Sequence, residues 1–399
     1  MKPSSFRPIG STLDALLQAC LPRRDAVPPA LTENAVIPGI PNARYWLDHD
    51  IAPFIRDVIQ DNQRELEARA RVGESTDVLP PLNFLAISGG GDAGTFAAGL
   101  LVGWTAHGTR PEFKVVTGIS AGALVAPFAF LGPQYDGVIQ RIATSLGPED
   151  VFHSRSVLTR LASDGMADSK PLSRLVAKHV TSEVLAAIAS EYAKGRALQI
   201  GTTDLDSGRP VTWSMGAIAS SQAPGALDLF RNVMIASMSI PGAVSPVMID
   251  VDVDGKPFQE MHVDGGVIAQ VFTYPAHTIM ALNKITGTPF RRELHVYVIR
   301  NGKLEPDWSG TKRRTLSIGG RAISTLIQAQ GISDLDRIYR TTKQDGADFN
   351  LAYIGSDFSF SHDQKFDGEY MKRLFGYAQK LGEKGYAWHK LPPGDMEQE

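Results

Sequence analysis

Cysteine is almost absent from this chain: Cys20 is the only one in 399 residues. That excludes an intrachain disulfide and a cysteine-built metal site. Long apolar runs are lacking as well, since no stretch reaches the roughly 18 consecutive apolar residues of a bilayer-spanning helix, and none is predicted. Charge of one sign is also in short supply. With 40 Lys and Arg against 43 Asp and Glu the formal net charge is -3, so the chain as a whole exerts no pull on nucleic acid or an anionic membrane. No basic stripe interleaved with aromatics is present, and no nucleic acid partner is expected. Any lipid contact has to be local. Internal repeats and low-complexity tracts are missing too. What remains, 43% hydrophobic and 21% charged residues, is an ordinary globular composition sufficient for one large domain with appendages or for two domains.

The N-terminal residues admit two readings. "LLQAC", ending in Ala19 and Cys20, resembles the close of a bacterial lipoprotein signal, with Lys2 and Arg7 upstream, but Pro8, Gly10 and Asp14 interrupt its apolar stretch. A short helix capped by Ser11, with Leu13, Leu16 and Leu17 on one face, fits the same residues. The first places the protein on a membrane through a lipidated Cys20; the second leaves it in the bacterial cytoplasm. Residues 1–45 are expected to form an N-terminal arm, proline-rich from residue 21, in which Arg23 and Arg24 read as solvated linker charges. Residues 46–81 form a helical lead-in. Ile51, Phe54, Ile55, Val58 and Ile59 recur at helical spacing, and the charged residues of "RDVIQDNQRELEARARV" are assigned to its solvent face.

From residue 82 short apolar runs alternate with helices. "NFLAIS", a helix from Gly94 to about His107, "FKVVT" and a helix through "AGALVAPFAFL" predict a β-α-β unit with parallel strands. Two hairpins follow, turning at Ser207-Gly208 and Asp254-Gly255. "ELHVYVIRNG" reads as a buried strand, and the last 90 residues as long helices around the strand "FNLAYIG". Asp250, Asp252 and Asp254 lack the later glutamate of a calcium loop and fit the hairpin.

"FKVVT" ends directly in "GISAG", residues 118–122, where a helix begins. Gly-x-Ser-x-Gly in this setting is a nucleophile elbow: Gly118 and Gly122 lack the Cβ that would block the tight turn, so the Ser120 hydroxyl stands at its tip. The "GGGDAG" loop, residues 89–94, could instead hold a dinucleotide. That reading requires a carboxylate at the end of the next strand, where Thr117 and Gly118 stand, and no Gly-Lys-Ser/Thr of a phosphate loop follows. In a parallel unit both loops emerge at one sheet edge, so the loop amides are expected around the carbonyl that Ser120 attacks.

Ser120 needs a base. Among nine histidines, His362 in "SFSHDQKFDG" best suits an α/β-hydrolase triad, although that fold separates its oxyanion loop and elbow by more than one helix. "HVDGGV", residues 262–267, offers Asp264 at a strand end before Gly265 and Gly266. Its carboxylate could take the proton directly. Asp-Gly-Gly also reads as a plain turn.

In this order, "GGGDAG", "GISAG" and "DGG" resemble the patatin-like phospholipase family in its oxyanion, elbow and aspartate motifs. The resemblance covers about residues 82–280 and implies a three-layer α/β/α fold with a mixed, largely parallel central sheet, completed by residues 281–399. It implies Ser120 as nucleophile, Asp264 as general base and an oxyanion hole among Gly89, Gly90, Gly91, Asp92 and Gly94. The implied reaction is hydrolysis of carboxylic esters of lipids, with a lipid or other acyl ester as partner. Membrane contact would be peripheral or through an anchor on Cys20. No metal or organic cofactor is implied. Relatives often carry Arg or Lys just before the last glycine of the loop, where this chain has Ala93 beside acidic Asp92; the missing cation weakens the case for a phospholipid head group. A lipid-binding module without catalysis remains a second hypothesis. His262 points to the same strand face as Asp264 and is read as a structural histidine or a partner of that carboxylate. The methionines and small residues of "MIASMSIPGAVSPV" suit core packing, and also acyl chains.

Overall fold

Short apolar runs bounded by turn residues form the strands, and the periodic segments between them form the helices. The computed structural model describes residues 24–396 apart from 152, 155–166, 307, 309 and 361–364, so Cys20, Arg23 and His362 lie outside the described residues. In chain order the strands are β1 (Arg44–Tyr45), β2 (Leu82–Ile87), β3 (Val115–Gly118), β4 (His153–Ser154), β5 (Ala167–Asp168), β6 (Ala197–Asp204), β7 (Arg209–Ser214), β8 (Val247–Val253), β9 (Lys256–Asp264), β10 (Leu294–Arg300) and β11 (Asp348–Tyr353). β4 and β5 pair with each other; the rest build one sheet in the order β1-β7-β6-β3-β2-β10-β11, with β9 joined to β6 and β8 to β9. Its centre, β6-β3-β2-β10-β11, is parallel. The β1, β7, β8 and β9 pairings are antiparallel. Both hairpins form where the turn dipeptides predicted them, and β10 sits beside β2, so the C-terminal residues complete the same sheet.

Among the described residues the α-helices of six residues or more are α1 (Ala52–Arg71), α2 (Thr95–His107), α3 (Ala121–Leu131), α4 (Asp136–Ser145), α5 (Lys170–His179), α6 (Ser182–Ala193), α7 (Met215–Ser220), α8 (Ala226–Ser237), α9 (Thr278–Thr286), α10 (Thr315–Gln344) and α11 (Gly368–Glu383). Strand alternation divides the core between the two faces of the sheet. Leu85 and Ile87 join α2, α3 and α11 in one apolar layer, while Phe84 and Ala86 join Leu335 and Ile338 of α10 in the other. α2 is wedged between sheet and α11 so closely that a Cβ on Gly103 would lie 2.1 Å from the Gln379 carbonyl oxygen.

Two expectations need correction. Arg24 is no solvated linker charge: it pairs with Asp206 and reaches the Gln259 carbonyl at 3.4 Å. Residues 24–45 cover the outer hairpin, with Val36 and Asp252 exchanging backbone bonds of 3.0 and 2.9 Å and Val27, Ile37 and Ile40 buried. An exposed strand edge invites such pairing, because its N–H and C=O groups otherwise lack partners.

The second correction concerns α1, whose charged residues do not all face solvent. Asp57, Asp61 and Glu65, spaced four apart, form a buried stripe. Asp57 accepts from the Tyr45 hydroxyl. Burial pushes the Asp61 carboxyl up to about 7. Glu65 accepts from Lys114 at 2.5 Å and from both terminal nitrogens of Arg292 at 2.8 Å. Asp61 also pairs with Arg64 in the same helix, but the cations that hold Glu65 come from residues 114 and 292, distant in the chain, and apolar periodicity did not disclose them. Removing one member of such a cluster leaves the others charged and desolvated. Glu65→Ala is therefore expected to lower stability by about 3–5 kcal/mol. Lys114→Met, which leaves Glu65 held by Arg292, should cost less. Chemical denaturation of both variants checks the order.

Candidate active site

The tight link between β3 and α3 forces Ser120 into φ 53°, ψ -122°, a region that side chains other than glycine rarely enter. Its flanking glycines are required by close approach: a Cβ on Gly118 would lie 2.6 Å from the Gly122 carbonyl oxygen, and one on Gly122 2.3 Å from that of Ile87. The Ser120 amide donates to the Ser237 hydroxyl at 3.0 Å, and that hydroxyl donates to the Gly201 carbonyl at 2.7 Å. The strained elbow is thereby tied to α8 and β6.

Strand register brings the other elements to this point. Ile87 pairs with Gly118, so the chain leaving β2 emerges beside the elbow. On β6, Ile200 pairs with Gly118 and Thr202 with Asp264. β7 occupies the opposite edge of β6, so β9 takes up the edge that β3 leaves two residues earlier, about 7 Å further along the strand. Asp264, the last residue of β9, thus meets Ser120.

The Asp264 carboxylate accepts from the Gly266 amide at 2.7 Å and lies near enough to the Ser120 hydroxyl for that group to favour its charged form. Burial pushes its carboxyl up to about 6, against the opposing effect of the Gly266 amide and the Ser120 hydroxyl. Gly265 packs under Gly201, where an added Cβ would lie 2.6 Å from the carbonyl oxygen.

The glycine loop forms a single 3-10 turn, Gly91–Gly94. Its first backbone bond runs from the Ala93 amide to the Gly90 carbonyl at 3.1 Å. The amides of Gly90 and Gly91 precede that bond, at the end of a turn where N–H groups have no acceptor within the turn. Gly89 differs from the expectation made for it. Its amide donates to the Gln270 carbonyl at 2.9 Å, which withdraws it from the candidate oxyanion donors. Gly94 lines the cleft and packs on Ala121, 2.5 Å from where its Cβ would stand. The Asp92 carboxylate, beside Ala93 in the loop, accepts from the Phe366 amide at 2.9 Å.

Three contributors were not identified from the sequence. Asn301 donates from its backbone and side-chain nitrogens to Ser88, both at 2.8 Å, and accepts from the Ala97 amide at 3.0 Å. It thereby clamps the glycine loop from the end of β10. Gln270 donates to the Gly266 carbonyl at 2.9 Å, so it joins the aspartate turn to the Gly89 segment. Asp334 of α10 in turn accepts from the Gln270 amide at 2.6 Å. Each is a single residue with no motif around it, and no local pattern could have marked it.

His262 is fully buried and bonded away from Ser120 and Asp264. One ring nitrogen lies 3.0 Å from the Thr202 hydroxyl and the other 3.0 Å from Glu260, whose carboxyl is held down at about 2 by His262 and Arg44 despite its burial. This is the structural role weighed for it.

Ser120 opens into a cleft of about 690 Å³, lined by Leu124, Ile139, Leu172, Met238 and Ile240 among others. Met238 and Ile240 come from the methionine-rich segment, while its Met234 is buried in the core. Such walls suit a hydrocarbon chain.

Residues 85–277 match the family model described as patatin-like phospholipase. Among solved structures, VipD from Legionella pneumophila is 12% identical, with 77% of this chain and 66% of that chain covered at a TM-score of 0.35. Full-length ExoU of the type III secretion system of Pseudomonas aeruginosa, solved with full-length SpcU, is 14% identical over 77% of this chain and 52% of the other, at 0.32. Human GIVD cytosolic phospholipase A2 is 11% identical over 79% and 55%, at 0.34. The chain thus spans between about half and two thirds of the length of these proteins. No curated protein matches it.

A raised folded pKa has a consequence for stability. The folded protein binds a proton at Asp264 that the unfolded chain has already released between about 4 and 6, so this contribution is full at low pH and lost as pH rises through about 6. Asp264→Asn should accordingly be more stable than the parent at pH 8, on the order of 1–3 kcal/mol, with the gap closing by pH 4. Thermal unfolding of both proteins at the two pH values measures it.

Proposed function

We propose, from the premise that this chain carries a patatin-like phospholipase domain over residues 85–277, that it is a serine acyl hydrolase acting on carboxylic esters of lipids through Ser120 and Asp264. The observation that carries this reading is the strained Ser120 elbow beside a desolvated carboxylate at the mouth of an apolar cleft. A serine alone is a weak nucleophile and requires an adjacent base. Asp264 is the group in contact with it, and burial raises its basicity towards the range useful near neutral pH.

Ser120 Oγ attacks the acyl carbonyl while its proton passes to Asp264. The developing oxyanion is met by the amides of Gly90, Gly91 and Asp92, each such donor being worth roughly 3 kcal/mol in the transition state. The tetrahedral species collapses to an acyl-serine as the alcohol leaves with the proton from Asp264. Asp264 then takes a proton from water, whose oxygen attacks the acyl carbonyl, and Ser120 is released with its proton restored. The acyl chain lies among Leu124, Ile139, Leu172 and Met238. Ser237, Asn301 and Gln270 hold the elbow, loop and aspartate turn in register and touch no reacting atom in this scheme.

Ser120→Ala and Asp264→Asn should each lower hydrolysis of a chromogenic fatty-acyl ester by at least about 10³-fold with folding retained. A fluorophosphonate probe should label the parent and spare Ser120→Ala. Normal turnover in either variant, or a folded parent that neither turns over nor labels, would overturn the assignment, the latter in favour of a lipid-binding module. Because the carboxylate is the active form, kcat/KM should rise with pH through about 6 and then level off, as a pH series at limiting substrate would record.

A further inference from the structure

Among the described residues Phe366 is the aromatic in the lining of the Ser120 cleft. Its φ is 60°, in the left-handed region that a bulky side chain rarely enters. Such a conformation persists only where the surroundings over-determine it, and here they act from both sides. The Phe366 amide donates to the carboxylate of Asp92, a buried member of the glycine loop, at 2.9 Å. The next residue, Asp367, caps α11, its carboxylate accepting from the Tyr370 amide at 2.8 Å. Phe366 thus stands just before a helix cap, a position from which an apolar side chain turns towards the fourth residue past the cap. That residue is Met371, which lines the same cleft. α11 is itself fixed against α2, since a Cβ on Gly99 would lie 2.3 Å from the Phe375 carbonyl oxygen.

The ring is aimed at the glycine loop. Its Cζ lies 4.0 Å from where a Cβ on Gly91 would stand, and Gly91 carries one of the amides assigned to the carbonyl oxygen of the substrate. A ring at that place meets the first carbons of the acyl chain, while the later ones run on between Leu124, Ile139 and Met238. Met238 can adapt its shape to a ligand. A ring whose backbone is tied to Asp92 yields only by breaking that tie. We propose that Phe366, held by Asp92, is a specificity-determining residue: its ring narrows the acyl path beside the oxyanion loop and selects esters of acids unbranched at the carbon next to the carbonyl. This rests on the reading of Ser120 as the acyl-transfer nucleophile. It gives the Asp92 side chain a task separate from that of its amide, because the carboxylate sets the wall against which the acyl chain is measured.

Two isomeric esters with one leaving group, para-nitrophenyl butyrate and para-nitrophenyl isobutyrate, isolate the branch. The ratio of their kcat/KM values, linear over branched, should fall at least about tenfold in Phe366→Gly, the size of effect that one carbon has in an apolar pocket. Glycine is at ease at φ 60°, so this variant removes the ring without opposing the backbone. Asp92→Ala keeps the ring but releases it, and should also lower the ratio. Asp92→Asn, whose side-chain oxygen can still accept from the Phe366 amide, should lower it less. A merely structural role would slow both esters equally, and an unchanged ratio in Phe366→Gly would overturn the proposal. An unchanged ratio in Asp92→Ala would overturn the part given to Asp92. Calorimetry of the two esters on Ser120→Ala, with and without Phe366→Gly, reads the wall without turnover. A preference for the linear ester that depends on Phe366, beside an inactive parent, would defeat only the assignment of Ser120; an active parent whose ratio ignores Phe366 would defeat only this proposal.

Discussion

The pairing of β9 with the outer end of β6 is the constraint on which the site depends. β3 stops at Gly118, opposite Ile200, and β9 enters at Thr202 on the edge so vacated. A register slip of one residue would turn Asp264 to the other face of the sheet and separate it from Ser120. The backbone of three strands therefore sets a distance that no local motif could set. Gly201, on β6 between these two pairings, is also the residue whose carbonyl accepts from Ser237 and whose backbone Gly265 packs against. One short segment of β6 carries both the elbow of Ser120 and the turn of Asp264.

Everything brought to that point is locally unfavourable. Ser120 has positive φ, Asp264 is a carboxylate with 5% exposure, and the glycine loop gives up side-chain packing. Such features persist only where the surroundings over-determine them. Here the surroundings are hydrogen bonds from separate elements: Ser237 from α8, Asn301 from the end of β10, and Gln270 held by Asp334 of α10. These supports explain why the C-terminal residues belong to the same physical unit, since β10 and α10 lie beyond the family match yet buttress the loop and the aspartate turn.

Two clefts of different character meet across a shared apolar wall. α4 and α5 each present apolar residues inward, Ile142 and Leu146 from the first and its C-terminal link, Leu175 from the second, and cations one or a few residues away. Helical periodicity thus produces an apolar cleft and a charged one on the two sides of a shared wall. Net charge near zero conceals this, because a local field depends on placement and not on the total.

Much of the fold was legible in the residues themselves. The β-α-β unit, both hairpins and the buried C-terminal strands followed from periodicity and turn dipeptides, because those signals act between neighbours in the chain. The elbow was equally local: Gly118 and Gly122 are needed by contacts at 2.6 and 2.3 Å, one of them within the pentapeptide itself. The sequence also supplied the three motifs of the candidate site, in order. Only the tertiary structure could decide which of their groups are available. Gly89 lost its amide to Gln270, His262 was taken by Thr202 of β6, and Glu65 of α1 turned inward to Lys114 and Arg292. In each case the deciding partner is remote in sequence or on another strand, and a hydrogen bond or ion pair formed through space leaves no periodic trace in the chain that makes it.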